Sequence, residues 1–312
     1  MILAKFAYYL VDMGTVTTAI AFVALVAHTS LLAFGRRAIA VGARPAAAGA
    51  GASGGTTTVT IGSGTSSTLT GTSDTAAGTT GQVFVWLSFI LIGAGMLIRA
   101  YLVGRGPWGN LYEFSTAFAM SIVGGYLLLQ RRYPIRTIGF IPIGVAFGLL
   151  LYASSLPSAI EALQPALHNP PLLTIHVGLA VISYGTFATS FAAGVGYLVQ
   201  GKADRFAWLP SHKVLDEVAY RSVIIGFPIF ATMIILGSWW ASIAWSRYWG
   251  WDPKETAALV TWLTYAVYLH ARNQKSWAGR PAALLLAIGF GMVLVTYSGS
   301  LWFSGLHTYS GL

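Results

Sequence analysis

Five tryptophans are concentrated in one segment of the chain, from Trp239 to Asp252. They make up five of the 11 tryptophans and share these 14 positions with Arg247 and a tyrosine. A single tryptophan at a helix end is typical of a membrane's aromatic belt, but a belt is a scattered ring, not one dense loop. We therefore predict an aromatic shelf that packs against a large, flat, apolar ligand, with the arginine near a ligand carboxylate. This aromatic shelf comprises Trp239, Trp240, Trp245, Trp249, Trp251 and Arg247.

Two histidines could supply metal ligands beside the aromatic shelf. His176 is near the start of one apolar run, and His307 follows the last apolar run by a few residues. A pair of neutral imidazoles can bind haem iron from opposite faces, and porphyrin is a flat ligand with carboxylates. Either histidine alone is typical of a membrane interface. Their convergence on one loop predicts a haem site with both as axial ligands.

Two further histidines, His28 and His270, lie inside apolar runs, where ionisable groups are rare and usually functional. At 1.5 Å per residue, His28 is roughly 12 Å before Arg36 and His270 is roughly 3 Å before Arg272, so their depths are unequal. They could form a second haem site towards the inner leaflet. Alternatively, His270 reaches the inner interface and binds no iron.

The sequence Asp252-Pro253-Lys254-Glu255 follows the aromatic shelf. An Asp N-cap, a Pro at N1 and a Glu at N3 together are typical of a helix start. We therefore assign Asp252, Pro253 and Glu255 a structural role and identify no catalytic residue. Asn110-Leu-Tyr-Glu113 predicts another helix start in the same way.

The composition indicates what kind of protein positions these residues. Of 312 residues, 55% are hydrophobic and only 9% are charged, against about 25% charged in soluble domains. The net charge of +9 comes from small groups of Lys and Arg between apolar runs, which argues against nucleic-acid binding. Because there is no cysteine, the chain forms no disulfide, no thiolate metal site and no thioether to haem.

Eight apolar runs are long enough to span a bilayer, so we predict an all-α polytopic membrane protein. The runs cover residues 15–34, 83–103, 112–130, 137–154, 172–200, 222–243, 254–271 and 281–303. The predicted organisation is a first transmembrane helix in 1–36, a Gly/Ser/Thr/Ala-rich cytoplasmic loop in 37–82, and a helical domain in 83–312. That helical domain carries the tryptophan-rich loop in 237–255.

The orientation follows from the distribution of Lys and Arg among the loops. One side of the membrane receives 13 of the 18, and both termini fall on the other side. The richer side carries Arg36, Arg37, Arg44, Arg131, Arg132, Arg136, Lys202, Arg205, Lys213, Arg221, Arg272, Lys275 and Arg280. Both termini, the tryptophan-rich loop, His176 and His307 are therefore predicted to face outward.

The tryptophan-rich segment resembles the WWD domain of cytochrome c biogenesis proteins of the CcsA (ResC) type. The residues that carry this resemblance are Trp239–Glu255 and Thr261–Arg272, supported by Asn110–Glu113, Leu163–Leu167, Ile175–Val177 and Gly305–Tyr309. The resemblance implies that haem b is held at the outer face by His176 and His307 and joined to apocytochrome c. It also implies that His270 is a membrane-embedded haem ligand. Pairing it with His28 is our own hypothesis.

The resemblance further implies the haem-handling subunit of a system II synthase, in which a Cys-x-x-Cys-His segment of apocytochrome c receives the haem. The implied partners are a CcsB (ResB)-like membrane protein and a thioredoxin-like thiol reductant. The expected location is a bacterial plasma membrane, with a thylakoid membrane as the alternative. Three other functions stay open: a haem transporter without ligation activity, a quinol-linked membrane cytochrome, and a WWD protein that hands haem to a separate chaperone.

Overall fold

The computed structural model describes residues 2–42, 74–160, 162–274 and 277–307. Within these ranges the chain forms eight α-helices and two short 3-10 turns, and no strand. The α-helices are α1 (Ile2–Gly42), α2 (Ala76–Val103), α3 (Leu111–Gln130), α4 (Phe140–Ser154), α5 (Pro170–Gln200), α6 (His212–Trp245), α7 (Pro253–Arg272) and α8 (Arg280–Trp302). The predicted all-α fold is confirmed.

Seven of these helices, α1 to α6 and α8, are long and apolar enough to cross a membrane, as judged over the described residues. The exception is α7, which the apolar run 254–271 predicts as an eighth span. It has charged residues in its first and last turns, Glu255 and Arg272 among them. These charges, and several threonines between them, lower its apolarity below that of its neighbours.

The contacts of α7 nevertheless place it across the full depth of the bundle. Asp252, just before α7, contacts His307, just after α8, at 2.8 Å. At the other end of α7, Arg272 donates a 2.6 Å hydrogen bond to Asp216 near the start of α6. Its 20 residues correspond to roughly 30 Å, the thickness of the hydrocarbon core. The helix therefore runs antiparallel to α6 and α8 along the bundle.

The bundle has two ends with different contents. The cavity end carries the starts of α3, α5 and α7 and the ends of α6 and α8, with His176 and His307 among its residues. The basic end carries the starts of α2 and α6, where Asp74 contacts Arg136 and Asp216 contacts Arg272. Helix α5 is central because it packs on α3, α6 and α8, whereas α1 packs on α2 and α4.

Several helices extend beyond the apolar runs that predicted them. Helix α1 begins at Ile2 and α6 at His212, where the Ser211 side chain accepts a hydrogen bond from the Val214 N–H. Helix α2 begins at Ala76 behind a Thr75 cap. The low-complexity loop predicted for 37–82 is therefore helical over residues 37–42 and 76–82. Its central part, residues 43–73, lies outside the described residues.

A buried ion pair fixes the start of α3 beside the cavity end. Arg99 donates to one carboxylate oxygen of Glu113 at 3.1 and 2.8 Å, and the Gly109 N–H donates to the other at 2.8 Å. Both charged side chains are buried, so each depends on the other. The predicted helix start is confirmed, because the Asn110 side chain accepts a 2.9 Å hydrogen bond from the Glu113 N–H.

Candidate functional site

An aromatic cavity opens between α3, α5, α6, α7 and α8 at the cavity end. It contains about 1150 Å³ of space, a volume that includes solvent in its open mouth. The aromatic side chains in its wall are Trp108, Phe114, Tyr184, Trp240, Trp245, Trp249 and Tyr297. His176 and His307 line the same cavity.

His176 is held by α6 in one orientation. Its Nδ1 lies 2.9 Å from the Met233 carbonyl oxygen, which can only accept a hydrogen bond, so Nδ1 carries the proton. The lone pair is then on Nε2, the nitrogen that would bind a metal. The ring meets Trp240 edge to face, with centroids 5.7 Å apart.

A glycine makes room for this histidine. A Cβ added at Gly237 would lie 2.7 Å from Cε1 of the His176 ring, closer than real side chains approach. The glycine at the start of the tryptophan-rich segment therefore allows α6 and the imidazole to pack together. Sequence reasoning included this glycine in the segment but gave it no role.

His307 is held by a carboxylate instead of a carbonyl. Its Nδ1 lies 2.8 Å from Oδ1 of Asp252, and the Leu306 N–H donates to Oδ2 of the same carboxylate at 2.5 Å. The ring meets Trp245 edge to face, with centroids 5.0 Å apart. A carboxylate hydrogen-bonded to Nδ1 orients an imidazole and makes Nε2 a better metal ligand.

Asp252 therefore has two roles. The predicted helix start is confirmed, because Asp252 Oδ1 accepts from the Lys254 N–H at 2.9 Å and Glu255 Oε2 accepts from the Asp252 N–H at 3.2 Å. Its second role, binding the His307 segment, was missed because local sequence does not show that the segment after α8 returns to the start of α7. Burial alone would raise the pKa of Asp252, but the hydrogen bonds from His307, Lys254 and Leu306 lower it to about 2.

The members of the predicted aromatic shelf divide into two groups. Trp240, Trp245 and Trp249 line the cavity. Trp239 and Trp251 are 49% and 68% exposed and, like the exposed Arg247, are not part of the cavity wall. Helix α6 ends at Trp245, so Trp239 and Trp240 lie within it, and its turn directs these adjacent side chains to different faces. Trp249 and Trp251 follow in the loop to α7, which is turned by left-handed conformations at Ser246 and Trp251.

Other residues of the cavity wall were not predicted, Trp108 and Lys254 among them. Trp108 lies in the loop before α3 and donates from Nε1 to the Leu173 carbonyl at 3.0 Å. Lys254 is on the first turn of α7, with its ammonium 6.0 Å from the centre of the Phe114 ring. The only sequence signal for either was its position beside a predicted helix cap.

The structure places His28 and His270 in different parts of the bundle. His28 is 2% exposed, and its Nδ1 lies 2.8 Å from the Thr75 hydroxyl between α1 and α2. His270 is exposed on α7, 2.7 Å from the Gln274 side-chain nitrogen. Helix α1 packs on α2 and α4, whereas α7 packs on α6 and α8. The two histidines are therefore not brought together in this conformation.

The donor set of the cavity fits haem better than a bare metal ion. Among the described residues, no group of three or more His, Cys, Asp and Glu could hold a metal ion. A porphyrin brings four nitrogen ligands of its own, so two imidazoles complete the coordination of its iron. The tautomer of His176, the space at Gly237 and the aromatic wall are all compatible with that ligand.

Comparison with known proteins gives the chain a family context. Residues 108–307 match the family model described as cytochrome C assembly protein. The "Cytochrome c biogenesis protein CcsA" of Prochlorococcus marinus is 34% identical over 252 residues, covering 70% of this chain and 81% of that protein. The protein of the same name from Guillardia theta is 33% identical over 250 residues, covering 72% and 81%.

A solved structure shares the fold. The chain is similar to "Cytochrome c Heme Lyase CcmF", with a TM-score of 0.65 at 15% sequence identity. The likeness covers 99% of this chain, which spans about half (48%) of the length of that protein. At this identity the likeness shows that the two chains have a similar helical fold, and nothing about their chemistry.

Proposed function

This chain belongs to the cytochrome c assembly protein family, and on that premise we propose that its cavity holds haem b for covalent attachment to apocytochrome c. The chain is an integral membrane protein of cytochrome c maturation, as its CcsA-type relatives indicate. The observation that supports the haem site is the convergence of His176 and His307 on one aromatic cavity. Their positions are more than a hundred residues apart in the sequence.

The geometry supports a role in this proposal for each of the following residues. His176 and His307 hold the iron through Nε2, and their Nδ1 atoms are fixed by the Met233 carbonyl and the Asp252 carboxylate. The tryptophans Trp240, Trp245 and Trp249 cover the flat faces and exclude water. The chain contributes position and orientation, and the bond-making atoms belong to haem and substrate.

The proposed reaction is the addition of two cysteine thiols to the two vinyl groups of haem. At each vinyl one C–S bond forms as the C=C π bond breaks, and the thiol proton is transferred to the terminal carbon. This addition involves no net oxidation and requires both cysteines as free thiols. We therefore propose that a thioredoxin-like protein keeps the cysteines of the apocytochrome reduced. The Cys-x-x-Cys-His segment then supplies a histidine that replaces one axial ligand.

The setting of the reaction is part of the proposal. The Lys and Arg distribution supports an outward-facing cavity and outward termini, and 13 of 18 basic residues are on the opposite side. We place the chain in a bacterial plasma membrane, with a CcsB-like protein as partner. Residues 83–312 would be the haem-handling part, preceded by the first helix in 1–36 and the low-complexity segment in 37–82.

Haem would enter from the basic end, where His270 is a candidate ligand. Because His28 is buried between α1 and α2 while His270 is exposed on α7, a haem bound by both requires a rearrangement of the helices. A second ligand for His270 from the partner protein would require none. The entry site thus stays a prediction.

The experiment is a haem titration of the purified chain followed by its absorption spectrum. His176→Ala and His307→Ala should each weaken binding at least about tenfold and change the spectrum from two axial imidazoles to one. His168→Ala is the matched control, because His168 is exposed and bonded to the Leu163 carbonyl. Unchanged spectra in both cavity variants would contradict the proposal. Holocytochrome formed together with a CcsB-type partner would distinguish attachment from transport alone.

A further inference from the structure

One cation in the cavity wall, the Lys254 ammonium, forms no direct ion pair with a carboxylate of the described residues. Apart from tyrosines, the ionisable side chains lining the cavity are His176, Lys254, Glu255 and His307. Glu255 Oε2 accepts hydrogen bonds from the Gly250 and Asp252 N–H groups. Within the described part of the chain, no carboxylate lies within 4.0 Å of the Lys254 ammonium.

The surroundings of Lys254 favour a bound anion. The ammonium lies over the Phe114 ring at 6.0 Å, which compensates for lost water only weakly. A partly buried charge without a partner is costly, and a carboxylate from a ligand would offset that cost with a charge-assisted hydrogen bond. The capping box at Asp252 and Glu255 fixes the first turn of α7, so the lysine stem points from a rigid support.

Arg247, the residue that the sequence favoured for a ligand carboxylate, has a different position. It is exposed in the loop after α6 and is not part of the cavity wall. Its guanidinium packs near Gly250. A carboxylate at Arg247 would be in solvent, whereas one at Lys254 would be inside the cavity beside the two histidines.

We propose that the Lys254 ammonium binds a propionate carboxylate of the haem and makes the cavity selective for porphyrins with free propionates. This inference rests on the proposed haem site and assigns one edge of the ligand to the first turn of α7. The propionate edge would then lie against α7, and the vinyl edge, on the other side of the ring, would be presented away from it. Lys254 is thus a positioning residue for the reacting groups.

The test is a titration of the purified chain with haem and with haem dimethyl ester, followed by Soret absorbance. The wild-type chain should bind haem about tenfold or more tightly than the diester, since one charge-assisted hydrogen bond is lost with the ester. Lys254→Met should lower haem affinity by a similar factor and remove the preference. Lys254→Arg should keep most of the preference for haem over the diester. Lys213→Met, at an exposed lysine of the basic end, is the matched control and should behave as wild type.

Each result is decisive. Equal affinity of the wild-type chain for haem and diester would overturn the inference without any variant, even if Lys254→Met failed to fold. A preference that persists in Lys254→Met but disappears in Arg247→Met would assign the propionate to Arg247 instead. Failure of the wild-type chain to bind either porphyrin would contradict the proposed function and, with it, this inference.

Discussion

Two glycine–histidine contacts, one in each half of the bundle, are built alike but lead to different surroundings. At the cavity end, Gly237 of α6 receives the ring of His176, and a Cβ there would lie 2.7 Å from Cε1. Between α1 and α2, Gly78 receives the ring of His28, and a Cβ would lie 2.6 Å from Nδ1. In both contacts the histidine Nδ1 also has a polar partner, the Met233 carbonyl or the Thr75 hydroxyl.

The difference lies in what surrounds the other face of each ring. His176 lines the aromatic cavity with Trp240, whereas His28 is 2% exposed and is not part of the wall of that cavity. A close glycine contact and an oriented imidazole are therefore not sufficient for a ligand site. A glycine–histidine contact can serve ligand binding where the ring also faces a cavity. Where the ring is enclosed by helices, the same contact serves only helix packing.

Among substitutions that leave both histidines in place, the largest effect on haem affinity is expected from Gly237→Ala. The added methyl group must push the His176 ring away from α6 and break its hydrogen bond to the Met233 carbonyl, so haem affinity should fall by roughly 30-fold. Gly291→Ala on α8 is the control, because a Cβ there meets nothing within 4 Å. Haem titration of both variants measures the difference. Equal affinities would show that the position of His176 does not control binding.

The sequence predicted the helices well because membrane spans depend on local apolarity. Even α7, the least apolar, was predicted as the apolar run 254–271, and its start was predicted from the cap residues Asp252 and Glu255. The helix ends were less accurate, since α6 begins at His212 while its apolar run begins near residue 222. The polar first turns of α6 are stabilised by a Ser211 cap and by contacts such as Asp216 with Arg272, which apolarity does not report.

The site was predicted less completely than the fold. The predicted membrane topology was sufficient to place His176, His307 and the tryptophan-rich loop on the same side of the membrane. This is because the chain crosses the membrane with each helix, so alternate loops lie on the same side. Spacing within that segment could not show which rings face inward, because this depends on how α6 packs and on the left-handed backbone of the loop after it. Nor could it select Lys254 over Arg247, because both are cations near the same tryptophans.

A second effect, of about tenfold in haem affinity, is expected from Asp252→Asn. Asparagine still caps α7, so the helix start is preserved, but the charge that orients His307 through Nδ1 is lost. Glu255→Gln is the matched control, because it weakens the same capping box without touching His307. Haem titrations of the two variants compare the loss of the charge beside His307 with the weakening of the helix cap. If Glu255→Gln lowers haem affinity more than Asp252→Asn does, Asp252 acts only as the cap of α7 and does not orient His307.

The Asp252 carboxylate also predicts that the stability of the folded chain decreases at acid pH. Its pKa is about 2 in the folded chain and about 3.9 when unfolded, so ionised Asp252 stabilises the fold by about 2 kcal/mol. Because the folded pKa is the lower one, this contribution is complete above about pH 5 and is lost as the pH falls from about 4 to about 2. Thermal unfolding of the haem-free chain and of Asp252→Asn should converge over this range. A constant difference down to pH 2 would contradict the assignment.

The smallest effect on haem affinity is expected from Gly78→Ala, the counterpart of Gly237→Ala. Its Cβ must displace the His28 ring and loosen the packing of α1 on α2, which should destabilise the fold by about 1–3 kcal/mol. Because His28 is not in the cavity wall, haem affinity at the His176 and His307 site should stay at the wild-type value. Thermal unfolding and haem titration of the same preparation separate the two quantities. A loss of haem affinity as large as that of Gly237→Ala would contradict this prediction and would mean that the α1–α2 pair is coupled to the cavity. His28 would then have a role in haem binding and would not be only a packing residue.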